Sequence, residues 1–306
     1  MRRVDRLIKQ IRIQTENEDS GLNYGIKTEE FLQYINDAQH RLQSLITAMH
    51  EHAFVQEDIQ SVSKGKQEYA LPDLALMNNK VVSVEYSPTT FEDDYYHLTP
   101  RNLHIRSTYL EAYPDGYIRR SGKILLQPTP SQSGNLRINY VKRVYDLDIR
   151  RGVISVATQS GNTITSLLAD VSSSKTPLDF ELLQDSDYIC IVDKNGQMVA
   201  RNIPIEGLNT ATGEISIEAG FQLDGEVISV GNYITAGKDV VTHSELPKMT
   251  ERYLIAYAAW KILKRDSSVD STEQQQELSS MEDDIVNAFA RIDGDLHPIP
   301  LINREW

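Results

Sequence analysis

The sequence predicts an α+β protein: N- and C-terminal helices packed as a helical bundle, with an antiparallel β unit and an inserted small β-barrel or β-sandwich domain between them. Three observations predict it. Apolar residues recur at helical spacing near both ends, the middle is rich in β-branched, alternating stretches, and turn residues punctuate that middle at short intervals.

Val4, Leu7, Ile8 and Ile11 trace one face of a first amphipathic helix over about 4–15, followed by a polar loop over 16–24. Thr28 then reads as an N-cap, with Glu29 and Glu30 at the positive end of the helix dipole. Behind it Phe31, Ile35, Ala38, Leu42, Leu45, Ile46 and Met49 form an apolar stripe that predicts a helix reaching His52.

From Phe54 the pattern changes. Tyr69-Ala70-Leu71, the alternating stretch 81–86, Ile124-Leu125-Leu126 and the stretch 135–141 predict strands. Tyr113-Pro114-Asp115-Gly116 reads as a turn in which proline pre-sets φ and glycine accepts a positive φ. Further short strands are predicted over 153–156, 187–192, 198–203, 214–218 and 226–234, with Asp193-Lys194-Asn195-Gly196 as a hairpin signal. Regular spacing of short strands points to a small barrel or sandwich.

Helix returns near the end. Ser244 reads as a cap, with Pro247 in the first turn, ahead of a face of Leu246, Met249, Tyr253, Ala256, Tyr257, Trp260 and Leu263. Asp270 and Glu273 resemble a capping box for a last helix lined by Leu278, Met281, Ile285, Phe289 and Ile292. The opposite face of that helix is acidic: Glu273, Glu277, Glu282, Asp283 and Asp284. The bland reading of such a stripe is a solvated surface; its functional reading is the lining of a channel through which DNA passes. The final stretch carries Leu296, Pro298, Ile299, Leu301, Ile302 and Trp306, an extended apolar arm that wants a surface to bury against. The expected division is therefore 1–66 N-terminal helical part, 67–145 antiparallel β unit, 146–239 inserted β-rich domain, 240–292 C-terminal helices and 293–306 docking arm.

Bulk properties narrow the function. The 306 residues carry a formal charge of -13, from 31 Lys and Arg against 44 Asp and Glu. A balance this acidic argues against broad adhesion to nucleic acid or anionic membrane. No apolar run is long enough to span a bilayer. The charged start, Met1-Arg2-Arg3, lacks the apolar run of a secretory signal, so synthesis in a host cytoplasm is expected. Cys190 is the only cysteine and lies in an apolar stretch, which favours a buried structural thiol over a nucleophile.

Motifs for chemistry do not emerge. There is no Gly-rich phosphate loop, no His-Glu-x-x-His and no Gly-x-Ser-x-Gly elbow. His50 and His52, two residues apart on a helix, would point to different sides, whereas helical metal pairs need a spacing of three or four. Glu92, Asp93 and Asp94 lack the spaced ligands of a calcium loop. The expectation is no enzyme, no catalytic or metal residue and no cofactor.

The order of motifs is more informative than any one of them. The stripe helix over 31–39, Glu68-Tyr69-Ala70-Leu71-Pro72, Gly122-Lys123-Ile124-Leu125-Leu126-Gln127-Pro128, Leu136-Arg137-Ile138-Asn139-Tyr140 and the Tyr253–Trp260 stretch together resemble the head-to-tail adaptor proteins of tailed bacteriophages. Within them the chain is similar to the short-tailed-phage group called tail tubular protein A. The resemblance covers about two thirds of the chain, and 146–239 departs from the compact family pattern. It implies a virion protein of the neck, a homo-oligomeric, dodecameric ring between portal protein and tail nozzle protein. Double-stranded DNA would pass through it without sequence-specific binding or any membrane role. It also implies that the C-terminal arm grips the portal, while the inserted domain faces outward toward tail fibres or accessory virion proteins. Two other classes stand beside it: a carbohydrate- or host-surface-binding β module of a virion, and a cell-wall hydrolase.

Overall fold

The computed structural model of the protein describes residues 3–15, 26–50, 52–76, 81–88, 94–102, 111–172, 178–223, 227–265 and 272–294. The predicted loop over 16–24, Glu92 and Asp93, Asp270 and the arm from Leu296 to Trp306 lie outside the described residues. Among those described the protein is α+β, with five α-helices, antiparallel sheets and a closed six-stranded barrel. It divides into two compact units, one of residues 1–44 and 144–288, the other of 45–143 and 289–306.

The first helices follow their stripes. α1 (Val4–Gln14) buries Val4, Leu7, Ile8 and Ile11. α2 (Thr28–Met49) buries Phe31, Ile35, Ala38, Leu42 and Ile46. It starts one residue earlier than expected, so Thr28 is the first helical residue rather than the cap. It also stops at Met49, which is exposed, and His52 falls in a turn.

The described residues of the second unit form ten strands: β1 (Val55–Val62), β2 (Glu68–Ala70), β3 (Val81–Ser87), β4 (Tyr96–His97), β5 (Thr99–Pro100), β6 (Glu111–Ala112), β7 (Gly116–Arg120), β8 (Lys123–Gln127), β9 (Thr129–Pro130) and β10 (Gly134–Val141). One sheet runs β1-β10-β3-β4 and another β2-β8-β7-β5, with Tyr86, Ile124, Leu126, Leu136 and Ile138 fully buried. β1 falls in the stretch expected to be helical. It pairs with β10 from Val55↔Val141 to Val62↔Gly134, yet most of its residues are exposed or half-buried. An edge strand of this kind has no apolar alternation to betray it. Ser121 (φ 47°) and Gly122 (φ 74°) make the two-residue turn between β7 and β8, both in the left-handed region that such hairpins require. Gly116 is needed for a different reason than expected. Its φ is not left-handed; a Cβ there would lie 2.9 Å from the Thr99 carbonyl oxygen and overlap the Arg101 side chain, because β5 runs parallel and close beside β7.

In the first unit β11 (Asp146–Leu147) leads to the barrel. Its strands are β12 (Gly152–Ser160), β13 (Thr163–Ala169), β14 (Tyr188–Val192), β15 (Met198–Asn209), β16 (Glu214–Ile217) and β17 (Tyr233–Ala236), closed in the order β12-β13-β16-β15-β14-β17. The short helix α3 (Phe180–Gln184) precedes β14. The interior is aliphatic, with Ile154, Ile164, Leu167, Ile189, Ile203 and Ile215 at 0% exposure. The last strand begins at Tyr233 because Gly231 (φ 90°) turns the chain just before it. Asp193 closes the β14–β15 hairpin, its carboxylate accepting from the Asn195 and Gln197 amides at 2.8 Å.

β18 (Val240–Val241) pairs in parallel with β11 and leads into a short 3-10 turn (Lys248–Thr250), α4 (Glu251–Leu263) and α5 (Thr272–Gly294). Ser244 does not cap α4. Its hydroxyl donates to Gln39 and accepts from the Leu246 amide, so the helix begins only at Glu251. α4 packs on α1 and buries residues on most of its circumference, among them Tyr253, Leu254, Ala258 and Ile262.

Candidate assembly surface

Two sets of side chains build the first unit's surfaces, and both begin on helices. On α2 a second stripe runs beside the apolar one. Asn36, Gln39, His40 and Gln43, at the i, i+3, i+4, i+7 spacing of one helix face, are all polar. They read the backbone and side chains of the extended segment 144–147. Gln43 accepts from the Val144 amide at 3.2 Å and Gln39 donates to the Tyr145 carbonyl at 2.8 Å. His40 meets Asp146 at 2.6 Å, and Asn36 both donates to the Leu147 carbonyl and accepts from its amide. Gln39 and Gln43 are completely buried.

Next along the chain, Arg151 forms a buried ionic hub. Its guanidinium donates to both Asp148 oxygens at 2.7–3.1 Å, to Asp179 at 2.7 Å and to Glu29 of α2 at 3.5 Å. Asp148 also accepts from the Ala236 amide of β17 and is 5% exposed. Burial pushes the Asp148 carboxyl up from its ordinary value, against the opposing pull of Arg151. The hub borders a 730 Å³ cavity that also contains Arg3, Asp5, Arg150 and Tyr233. Arg3 pairs with Asp5, while Arg150 lies 3.5 Å over the Tyr233 ring and donates to the Lys194 carbonyl at 3.3 Å, its Nε buried without a hydrogen-bond partner among the described residues.

The predicted acidic stripe of α5 resolves into three positions. Glu282 turns inward. Its carboxylate accepts from Arg41 Nε at 2.7 Å and from a second Arg41 nitrogen at 3.1 Å, and from the Tyr253 hydroxyl at 2.6 Å, which ties α2, α4 and α5 together. The hydrogen bond to Glu282 holds Arg41 firmly protonated; burial, then Glu282, pushes the Tyr253 hydroxyl far above its ordinary value. Glu277 is exposed and pairs with Arg252 at 2.8 Å. Glu273, Asp283 and Asp284 are exposed, and no described residue forms an ion pair with them. On a helix of 3.6 residues per turn Glu273, Glu277 and Asp284 share one flank and Asp283 lies further round.

A groove follows the solvent side of α4, between α1 and α5. Hollows of 510, 310 and 230 Å³ all border Arg252. Ile13 (63% exposed) and Met249 (43%) project at its edge, and Ala256, Ala259 and Ala288 keep its floor low. Sequence reasoning missed both the polar stripe and this groove. The stripe had a legible signal, the helical spacing of four polar residues; the groove depends on which helices become neighbours, and so had none.

Elsewhere the geometry offers little for chemistry. Among the described residues no group of three His, Cys, Asp or Glu side chains is placed to hold a metal ion. Cys190 is fully buried, its thiol pushed up by burial and set 3.5 Å from Asn202 Oδ1 and the Gly237 carbonyl. Among the described aromatic side chains of this region, Tyr188 and Tyr233 are covered by Lys238 and Arg150, and Phe221 packs against the core.

Residues 3–165, more than half of the chain, match a family described as SU10 adaptor protein. The chain belongs to the SU10 adaptor protein family. The matched residues take in α1, α2, the β unit and the segment 144–151, and end inside β13. No curated protein matches the chain. Membership in this phage head-to-tail adaptor family makes the adaptor a structural component of the virion, with partners among portal and tail components. The family is a structural one, generally without enzymatic activity.

Proposed function

We propose that the adaptor acts as one member of a closed, dodecameric ring in the neck of the virion, between portal protein and tail nozzle protein, with the genome passing through its centre during ejection. The observation that carries this reading is the family match over 3–165. In the ring the N- and C-terminal helices form a bundle around the channel. The arm bearing Leu296, Pro298, Ile299, Leu301, Ile302 and Trp306 grips the portal, since each large apolar side chain gains roughly 1.5–3 kcal/mol on burial. The inserted barrel projects outward as a dock for tail fibres or accessory virion proteins. The exposed carboxylates of α5 then have two available neighbours, the DNA channel and the next copy.

Electron microscopy of the purified chain, alone and mixed with its portal, tests the ring. Rings, free or capping the portal, are expected; particles that stay monomeric and ignore the portal overturn the reading. Truncation after Asp293 should leave a folded protein that no longer joins portals, and normal joining by that truncant removes the gripping role of the arm.

A further inference from the structure

The faces that α1 and α5 turn to solvent have opposite charge. On α1 the residues opposite the buried Val4, Leu7, Ile8 and Ile11 include Arg6, Lys9 and Ile13, all exposed, beside an exposed Asp5 that is paired with Arg3. No described residue pairs with Arg6 or Lys9. On α5 the exposed carboxylates Glu273, Asp283 and Asp284 are likewise without an ion-pair partner among the described residues. The two helices flank α4, so one compact unit carries a cationic helix face and an anionic one.

We infer that the basic outer face of α1 on one copy docks against the acidic outer face of α5 on the next, with Ile13 and Met249 covered at the seam. This rests on the ring reading and names the surface that would close the ring. Like faces repel, so a two-fold pairing of α1 with α1 or of α5 with α5 is disfavoured. Unlike faces meet when copies follow one another in a single direction, the arrangement that closes into a ring, or in a two-fold pair that seats each α1 on the other copy's α5; the ring reading selects the first. The exposed isoleucine and methionine decide between the neighbours open to α5. A wall facing DNA leaves Ile13 and Met249 in water, whereas a protein seam covers them and pairs Arg6 and Lys9 with the carboxylates of α5.

Paired charge reversals in the full chain test this, read by native mass spectrometry and electron microscopy with and without portal. Arg6→Glu with Lys9→Glu, and separately Asp283→Lys with Asp284→Lys, should each weaken ring formation by at least roughly tenfold in concentration. The four-fold combination should restore assembly toward the parent level, and circular dichroism should show every variant folded. Two results overturn the inference while leaving the ring intact as a reading. One is reversals that assemble as the parent does, including the case in which rings form normally and only genome retention or ejection changes, which returns the α5 carboxylates to the channel. The other is a folded combination that remains defective. A parent chain that forms no ring under any of these conditions overturns both.

Discussion

The barrel interior and the inner face of α2 are buried to the same degree by opposite means. Inside the barrel Ile154, Leu167, Ile189 and Ile215 pack in one aliphatic cluster. On α2, Gln39 and Gln43 are as inaccessible as Leu42, and each is held by hydrogen bonds to a particular backbone atom of 144–147. Apolar burial is non-directional, so it stabilises a barrel without fixing every contact. Amide and guanidinium hydrogen bonds fix angle and register, because a small displacement leaves a buried polar group unmatched. The barrel lies mostly beyond the family match, and the α2 clasp wholly within it. The directional contacts of α2 thus fall in the part of the chain that matches the adaptor family.

Removing the hub should produce the largest effect. Arg151→Met leaves Asp148 buried without its cation and should cost about 3–5 kcal/mol in chemical denaturation, while the double variant with Asp148→Leu should recover most of that. A loss below that of a single aliphatic truncation would break the comparison. For the barrel, Leu167→Ala should cost roughly 2–5 kcal/mol, with the unfolding transition still cooperative. Gln39→Leu keeps the volume but abandons the Tyr145 carbonyl and the Ser244 hydroxyl, so a smaller loss of about 1–3 kcal/mol is expected. Ring assembly sharpens the contrast: the Gln39 variant should lose rings out of proportion to its stability, and the Leu167 variant should not.

The smallest effect is one of pH. Burial, then Arg150 and Arg3, lowers the His243 pKa below its ordinary value. The folded protein therefore binds a proton at His243 less readily than the unfolded chain does. Stability should fall as pH drops through the ordinary histidine value of about 6.5 toward the lower folded one. His243→Gln should flatten that part of the stability profile. An unchanged slope between about pH 7 and 5 in a denaturation series would remove His243 as its source.

The sequence made much of this fold legible where periodicity follows burial. The stripes of α1 and α2 and the alternation of β3 and β10 read directly, because each buries one face against a core. β1 did not, since an exposed edge strand takes its identity from β10. β13 was hidden for another reason: Ile164, Leu167 and Ala169 face inward across a register shift at Thr158/Gln159, which breaks simple alternation. At Ser244 a good capping residue was present but engaged by Gln39. The acidic face of α5 reads as a single stripe although helical spacing puts Glu282 beside Leu278 and Ile285 on the inner side, where it meets Arg41 and Tyr253.

The hydrogen bond between Gln39 and Ser244 joins residues 205 positions apart, and that between Arg41 and Glu282 spans 241. At usual translation speeds residue 244 follows residue 39 by roughly 10–40 s. The amides of Asn36, Gln39 and Gln43 can meet 144–147 part-way through that interval, but the Gln39–Ser244 and Arg41–Glu282 contacts wait until its end or beyond. The barrel, whose strand pairings all close within 152–236, is complete before the last partners of α2 have been made. Translation thus sets a timetable in which the contacts that tie α2 to Ser244 and to α5 are the last to become available.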